Sequence, residues 1–377
     1  IGLGEGDVLT LARKLKKRRD ALQRWRQCRI LIIDEISMLS GQLFEVLEVL
    51  ARAIRGKDEP FGGIQVVACG DFLQLPPVVR TEGEKDGTSR SPTFCFEVKA
   101  WKRTIRDVFE LTEVFRQKGD ATFCELLNEV RYASIPDPCF DVLKKRLVAG
   151  ASPFDPATEI TRLMPLRSEV DSMNERALAR LPGELVCFEA VDEGNPIDLD
   201  SFSGARRVVE LRAGALVILT RTVDAHRKLV NGSQGRVTRF EGGGSMRVPV
   251  VNFKDAEVEI SVPPVTFEAK CGNRFLGARS QVPLELGWAM SIHKSQGLTL
   301  GNVEVNIRTV FENSQAYVAL SRARSLQGLV LIGDETDLRK CIKADPRCID
   351  FHREVSKVAA QRRLEQGHPG AQLCQGT

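Results

Sequence analysis

The apolar positions of this chain change period several times, and each change marks an element. Residues 29–34, within "RILIIDEISML", form an unbroken apolar, β-branched run. Such a run predicts a strand buried on both faces of a parallel sheet. In the next stretch, "SMLSGQLFEVLEVLARAIRGKDEPFGG", Leu43, Leu47, Leu50 and Ile54 fall at helical spacing, and Gly56 and Pro60 end the pattern. A second apolar run, Ile64 to Cys69, leads into "GDFLQLPPV", where Pro76 and Pro77 stiffen a loop. Strand, helix and strand in that order predict a βαβ unit.

The flanking segments read less sharply. Residues 9–28 predict a basic helix, and the polar, Gly- and Pro-rich stretch 81–92 predicts an exposed loop. "VFELTEVFRQ", Val108 to Gln117, reads as a strand running into a turn, followed by a helix from Asp120 to about Tyr132. Beyond a Pro-containing link, Ser152 to Ala157, "EITRLMPLRSEVDSMNERALARLPGE" predicts another strand and helix. After residue 205 the texture changes. "GALVILTRTV", "GRVTRF", "MRVPVVNF" and "AEVEISVPPVTFEA" are short alternating runs set off by Gly, Asn-Gly or Asp turns, the pattern of a small antiparallel barrel. Helical texture resumes near Glu285, and Ser325 to Asp334 reads as one more buried strand. The expected organisation is therefore α/β throughout. A first domain spans 1–107, and a second is split into 108–220 and 285–350. A β module at 221–284 is inserted into the second, and 351–377 form a C-terminal helix and a frayed tail. No long internal repeat is visible.

Composition adds bounds. The chain has 377 residues, 42% hydrophobic and 28% charged, a globular balance with room for two or three domains. No apolar run approaches the ~20 residues of a membrane-spanning helix, so no membrane partner is expected. Net charge is only +4, and the basic residues gather in Arg13 to Arg29. That run reads as a solvated helix face or as a nucleic-acid contact. The ten cysteines include no C-x-x-C pair, which argues against a zinc site and for a reducing compartment. Nucleus, cytosol and mitochondrial matrix all fit, with nucleus or mitochondrion the expected location. The first residue is Ile1, not Met, so a start farther upstream is expected, with any targeting segment in it.

Chemistry concentrates at strand ends. Asp34 and Glu35 are adjacent acids at the carboxyl edge of the first strand, where open α/β sheets bind ligands. Two such acids can hold Mg²⁺ and orient an attacking water in triphosphate hydrolysis. The plain alternative is an acidic turn after a core strand. Gln74, one βα unit later, could touch a γ-phosphate, or the Gly70–Asp71 pair could be an ordinary turn with an Asp cap. His293, Lys294, Ser295 and Gln296 form a dense set of phosphate-type donors between apolar segments. Arg116 and Arg322 suit a charge stabiliser in phosphoryl transfer, or a helix end decorated with cations. No G-x-x-x-x-G-K-[ST] phosphate loop occurs in the 377 residues, and Gly2, Gly4 and Gly6 are followed by Asp7 rather than Lys-Ser.

Together "LIIDEISML", "GDFLQLPPV", "LTEVFRQ", "WAMSIHKSQGLTL" and "AYVALSRA" resemble, in order and spacing, the Pif family of DNA helicases, the RecD-like, B-type branch of superfamily one. The resemblance spans about residues 1–350. "FEVLEVLARAIRG" is similar to the family's signature helix, and "LVNGSQGRV" to the start of its inserted β-barrel. The resemblance implies two RecA-like P-loop NTPase domains, the second carrying the barrel. It implies an ATP-driven motor that runs 5′ to 3′ on single-stranded DNA and unwinds duplexes, with G-quadruplex unwinding, telomere maintenance, repair and recombination as family-level expectations. On this chain it implies that Asp34 holds Mg²⁺, Glu35 orients water and Gln74 senses the γ-phosphate. Arg116 and Arg322 would reach that phosphate from the second domain as the cleft closes, with Gln296 and Gly297 also at the nucleotide. Pro76, Pro77, His293, Lys294 and Ser295 would touch the strand. Single-stranded DNA and duplex junctions are the implied partners, and a monomer can suffice. In this family the phosphate loop precedes a segment like "IGLGEGD", so the expectation is a fragment of a working helicase. The rival is a short product that binds DNA or a partner without hydrolysis. A RecD-like nuclease subunit is disfavoured, because the chain has no further carboxylate cluster for phosphodiester cleavage.

Overall fold

Two short parallel strands carry the first acidic motif. β1 (Ile30–Ile33) pairs with β2 (Gln65–Ala68) in a register that sets Ile30 against Gln65 and Ile33 against Ala68. The structure is a computed structural model and describes residues 10–11, 13, 19–77, 92–150, 155, 157, 160–244, 247–253, 258–271 and 274–365. The expected burial of both faces is not found. Leu31 and Ile33 pack on the core, whereas Ile30 and Ile32 are 56% and 68% exposed. Apolar content along a strand reports that both faces favour cover; only packing determines whether each face has it.

The connection between the strands is α2 (Gly41–Arg55), which follows α1 (Arg19–Gln27). Ser40 caps α2 by accepting from the Leu43 N–H at 3.2 Å, and Gly56 closes it at a left-handed φ of 64°. Its buried stripe is Phe44, Leu47, Leu50 and Ala51, with Leu43 and Ile54 at the margin. In α1, Ala21 and Trp25 face the core while Arg24 and Arg26 are exposed, which fits either a solvated face or a nucleic-acid contact. Arg55 ties the two helices. Its guanidinium donates to the carbonyls of Trp25, Arg26 and Cys28 at the end of α1, and to that of Gly62.

The chain forms two compact units. One holds the described residues up to Cys139, with Phe311–Tyr317 and the chain from Ile342; the other holds Phe140–Val310 and Val318–Cys341. The first break thus falls some thirty residues beyond the expected 107/108. Two observations explain it. α3 (Ala121–Arg131), capped by Asp120, returns Arg131 to Asp71 near the end of β2. The C-terminal helix, Pro346–Glu365, adds Cys348 and Phe351 to the same core, where Phe351 meets the rings of Phe72, Phe96 and Trp101. This helix starts before the expected 351 and runs to Glu365, and 366–377 lie outside the described residues. The expected strand at Val108–Gln117 is not formed: the segment has no strand pairing, and Leu111 is 95% exposed.

The other unit centres on a five-stranded parallel sheet. In spatial order its strands are Ala289–Ser291, Ile160–Met164, Asn302–Asn306, Leu329–Ile332 and Leu147–Val148. The helix Arg167–Ala179 lies against it, and the Asn174 amide both donates to and accepts from the backbone of Ala289. The texture change after 205 is real but broader than 221–284. A five-stranded antiparallel sheet runs from Leu216–Leu219 to Leu284–Leu286, so strand structure occupies the place where helix was expected to resume. A three-stranded sheet pairs Arg274–Gln281 with Val265–Cys271 and Val191–Gly194. Arg279, fully buried there, grips Asp192 through two hydrogen bonds of 2.7 and 2.8 Å.

Candidate functional site

The end of β1 is built to hold its acids in one place. The chain turns at Glu35, a non-glycine residue at φ 49° and ψ 48°. Its N–H donates to Asp34 Oδ1 at 2.9 Å, and the Ile36 N–H donates to the Cys69 carbonyl at 2.9 Å. The turn after β1 is thereby bonded to the end of β2. Gly70 allows the approach: at φ 151°, a Cβ there would stand 2.8 Å from the Ile36 nitrogen. Left-handed backbone at a non-glycine residue costs about 1–3 kcal/mol and collects at functional sites. Asp34 is exposed beside the half-buried Glu35. Among the described residues no three His, Cys, Asp or Glu side chains gather around a common ion position. Magnesium needs no such cage, since it takes one or two carboxylates and completes its shell with water and substrate phosphates. An exposed carboxylate at a strand's end fits that role, and the ion would there neutralise phosphate charge.

The loop after β2 is organised by Asp71. Its carboxylate accepts from the Leu73 N–H at 3.0 Å and from the Gln74 amide at 3.4 Å. The Asp-capped turn, one of the two alternatives in the sequence, is formed, and Gln74 is part of it. Arg131 grips Asp71 through two hydrogen bonds of 3.1 and 2.8 Å. Burial alone would raise the Asp71 carboxyl, but the charge and hydrogen bonds of Arg131 hold it below its ordinary value. Gln74 and Pro76 are half-buried and Pro77 is buried. Arg116 lies close enough to Glu35 and Tyr317 to feel both; burial lowers its pKa while these two oppose the shift. Arg116 therefore belongs to the same compact unit as Asp34 and Glu35, not to the expected second domain.

The remaining candidates lie in the other unit. Ser291 caps the short helix Ile292–Ser295 by accepting from the Lys294 N–H at 3.2 Å. Lys294 is exposed and ion-paired with Glu285, and His293 is half-buried. Ser295 is fully buried, and its hydroxyl donates to the Ile292 carbonyl at 2.7 Å. The expected strand contact by that hydroxyl therefore has no counterpart in this geometry. Arg322 is also buried, folded back from the turn that follows the helix Gln315–Leu320: it donates to the carbonyl of Val318 at 2.8 Å and the hydroxyl of Ser321 at 2.8 Å. A weaker bond, at 3.4 Å, joins it to the Ser295 carbonyl. That bond places Arg322 beside the His293–Gly297 turn. Gly297 sits at φ 81° with open space around it, so backbone conformation rather than crowding favours glycine there.

Sequence reading took Asp71 only as a turn cap and missed Arg131, Tyr132 and His352. Arg131 Nη2 lies 2.7 Å from His352 Nε2, and the Tyr132 hydroxyl lies 3.0 Å from His352 Nδ1. Asp71 carried a signal, as it stands inside a quoted motif. The others carried none, since their partners are 60 and 220 or more positions away.

Comparison with known proteins places this geometry. The family model described as PIF1-like helicase matches residues 1–138. The ATP-dependent DNA helicase PIF1 of Xenopus laevis is 41% identical over 96% of this chain and 55% of its own length. The chain thus spans about half the length of this curated relative. The crystal structure of Pif1 helicase from Candida albicans superposes with a TM-score of 0.76 at 36% identity, over 94% of this chain and 83% of that one. A Bacteroides Pif1 helicase, solved in complex with ADP-AlF3 and ssDNA, is 28% identical over 90% of this chain and 78% of its own, with a TM-score of 0.61. With these matches, an α/β fold of RecA-like type and the acidic turn locked to the Asp71–Gln74 loop, the chain belongs to the PIF1-like helicase family.

Proposed function

We propose that this chain carries the downstream part of an ATP-dependent DNA helicase motor. The motor moves 5′ to 3′ on single-stranded DNA and unwinds duplex, including G-quadruplex-forming DNA, in genome maintenance in the nucleus or mitochondrion. The observation that carries the reading is the fixed pair of turns: Asp34–Glu35 after β1, bonded through Ile36 and Cys69 to the loop that holds Gln74, with Arg116 near Glu35. Asp34 would hold Mg²⁺, which would supply neutralisation of phosphate charge; Glu35 orients the attacking water, and Gln74 and Arg116 contact the γ-phosphate. Gln296, Gly297 and Arg322 supply the nucleotide contacts of the other unit. Pro76, Pro77, His293 and Lys294 grip the DNA strand, whose junctions with duplex are the working substrate. Backbone grip without base reading gives little sequence preference. That a Bacteroides relative was solved in complex with ADP-AlF3 and ssDNA supports both ligand classes.

The test is steady-state ATP hydrolysis by the protein expressed from its complete reading frame, with and without oligo-dT. DNA-stimulated turnover is expected, and Glu35→Gln should lower kcat by about 10³-fold or more through loss of the group that orients water. Wild-type turnover in that variant would remove Glu35 from the chemistry. Forks with a 5′ or a 3′ tail give the polarity: unwinding of the 5′-tailed fork alone is expected.

A further inference from the structure

The loop that presents Gln74 is held from a distance. Asp71 bonds the Gln74 amide, and Arg131 on α3 holds both Asp71 oxygens. Arg131 in turn meets His352 of the C-terminal helix at 2.7 Å. An arginine has only donors to offer, so His352 Nε2 accepts. The ring is therefore neutral and carries its proton on Nδ1, which faces the Tyr132 hydroxyl at 3.0 Å and the Glu110 carboxylate at 3.8 Å. Glu110 is itself fixed by the Ser356 hydroxyl at 3.0 Å, one turn along the C-terminal helix. One helix thus supplies the last link of a chain of charge-assisted bonds that ends at the glutamine.

We propose that Arg131 and His352 are positioning residues of the nucleotide site, latching the Asp71–Gln74 loop to the C-terminal helix so that Gln74 meets the γ-phosphate in one orientation. The proposal rests on the reading of Gln74 as a phosphate contact. Neither Arg131 nor His352 touches substrate; each acts through Asp71. Protonation of the imidazole would set a second donor and a second positive charge against Arg131, so the latch requires neutral His352. Burial and the Arg131 charge lower its pKa, while Asp71 and Glu110 oppose the shift without reversing it. A folded value below the ordinary ~6.5 keeps the latch fully closed above that pH and opens it as pH falls through the folded value.

A double-mutant cycle on ATP turnover, with the complete protein and saturating oligo-dT, tests this. Arg131→Met and His352→Leu should each lower kcat by about 10- to 100-fold with KM for ATP nearly unchanged, the scale of a misplaced reacting geometry. In a Gln74→Ala background neither should lower it further. His352→Gln, whose carbonyl can still accept from Arg131 and does not titrate, should keep wild-type turnover and flatten the acid limb of the pH profile. Full, additive losses in the Gln74→Ala background would overturn the latch while leaving Gln74 at the phosphate. Wild-type turnover by Gln74→Ala alone would instead overturn the reading of Gln74, and the latch with it. Should Arg131→Met fail to fold, the Leu and Gln variants of His352, checked by melting and oligo-dT affinity, decide the matter alone.

Discussion

At the scale of single residues, the site depends on a few backbone positions as much as on its acids. Glu35 occupies a left-handed conformation, and Gly70 lets the two strand-end turns touch. Gly70→Ala places a methyl group against backbone, which cannot swing aside as a side chain can. We expect a loss of about 1–3 kcal/mol of stability, the scale of forced backbone strain. Because the strain sits between the two motifs, ATP turnover should fall as well. Thermal melting and kcat measured on one preparation check both. An unchanged melting point would mean that the two turns are not in contact. Arg279 offers a contrast. It is as buried as any of the described residues, and its partners Asp192 and Asp200 hold its pKa raised. Its polar partners are Asp192 in its own sheet, Asp200 in the helix Pro196–Phe202 and the Ala205 carbonyl in the loop that follows, so its role is architectural.

At the scale of elements, α2 shows how local signals and packing agree. Ser40 and Gly56 stand where capping chemistry requires them, and between them an apolar stripe faces the core. Ser40→Ala removes the acceptor for the Leu43 N–H and should cost about 1 kcal/mol, seen as a lower melting temperature with turnover at ordinary temperature preserved. Loss of turnover without loss of stability would give α2 a function beyond scaffolding. The segment Val108–Gln117 is the opposite case. Its alternation is strand-like, yet a strand exists only through a partner's hydrogen bonds. Among the described residues it has none, and Phe109, Leu111 and Phe115 remain exposed.

At the scale of the whole molecule, a net charge of +4 on 377 residues gives only a weak global attraction to nucleic acid. On the proposed function, DNA affinity would then come from local contacts with the backbone. Oligo-dT binding should weaken as salt rises, and Lys294→Ala should reduce the magnitude of the log–log slope by about 0.7, the value for one phosphate contact on a single strand. Fluorescence anisotropy over a salt series measures it. An unchanged slope would leave Lys294 with its Glu285 partner and without a phosphate. Among the described residues no helix is long and apolar enough to cross a membrane.

What the sequence determined by itself is the chemistry and its local frame. The acids at a strand end, the glutamine loop, the capped helix and the antiparallel texture after 205 are written in contiguous residues, because capping, turn geometry and hydrophobic period act over a few positions. Tertiary structure alone decided three things. It placed Arg116 with Glu35 and buried Arg322 and Ser295. It left one face of β1 open. It brought Arg131 and His352, far apart in the chain, to Asp71. Each of these depends on which surfaces meet after the chain has folded, and no periodicity records that. A buried ion pair or a latched histidine is a property of the packed interior, where a charge is tolerated only beside its partner.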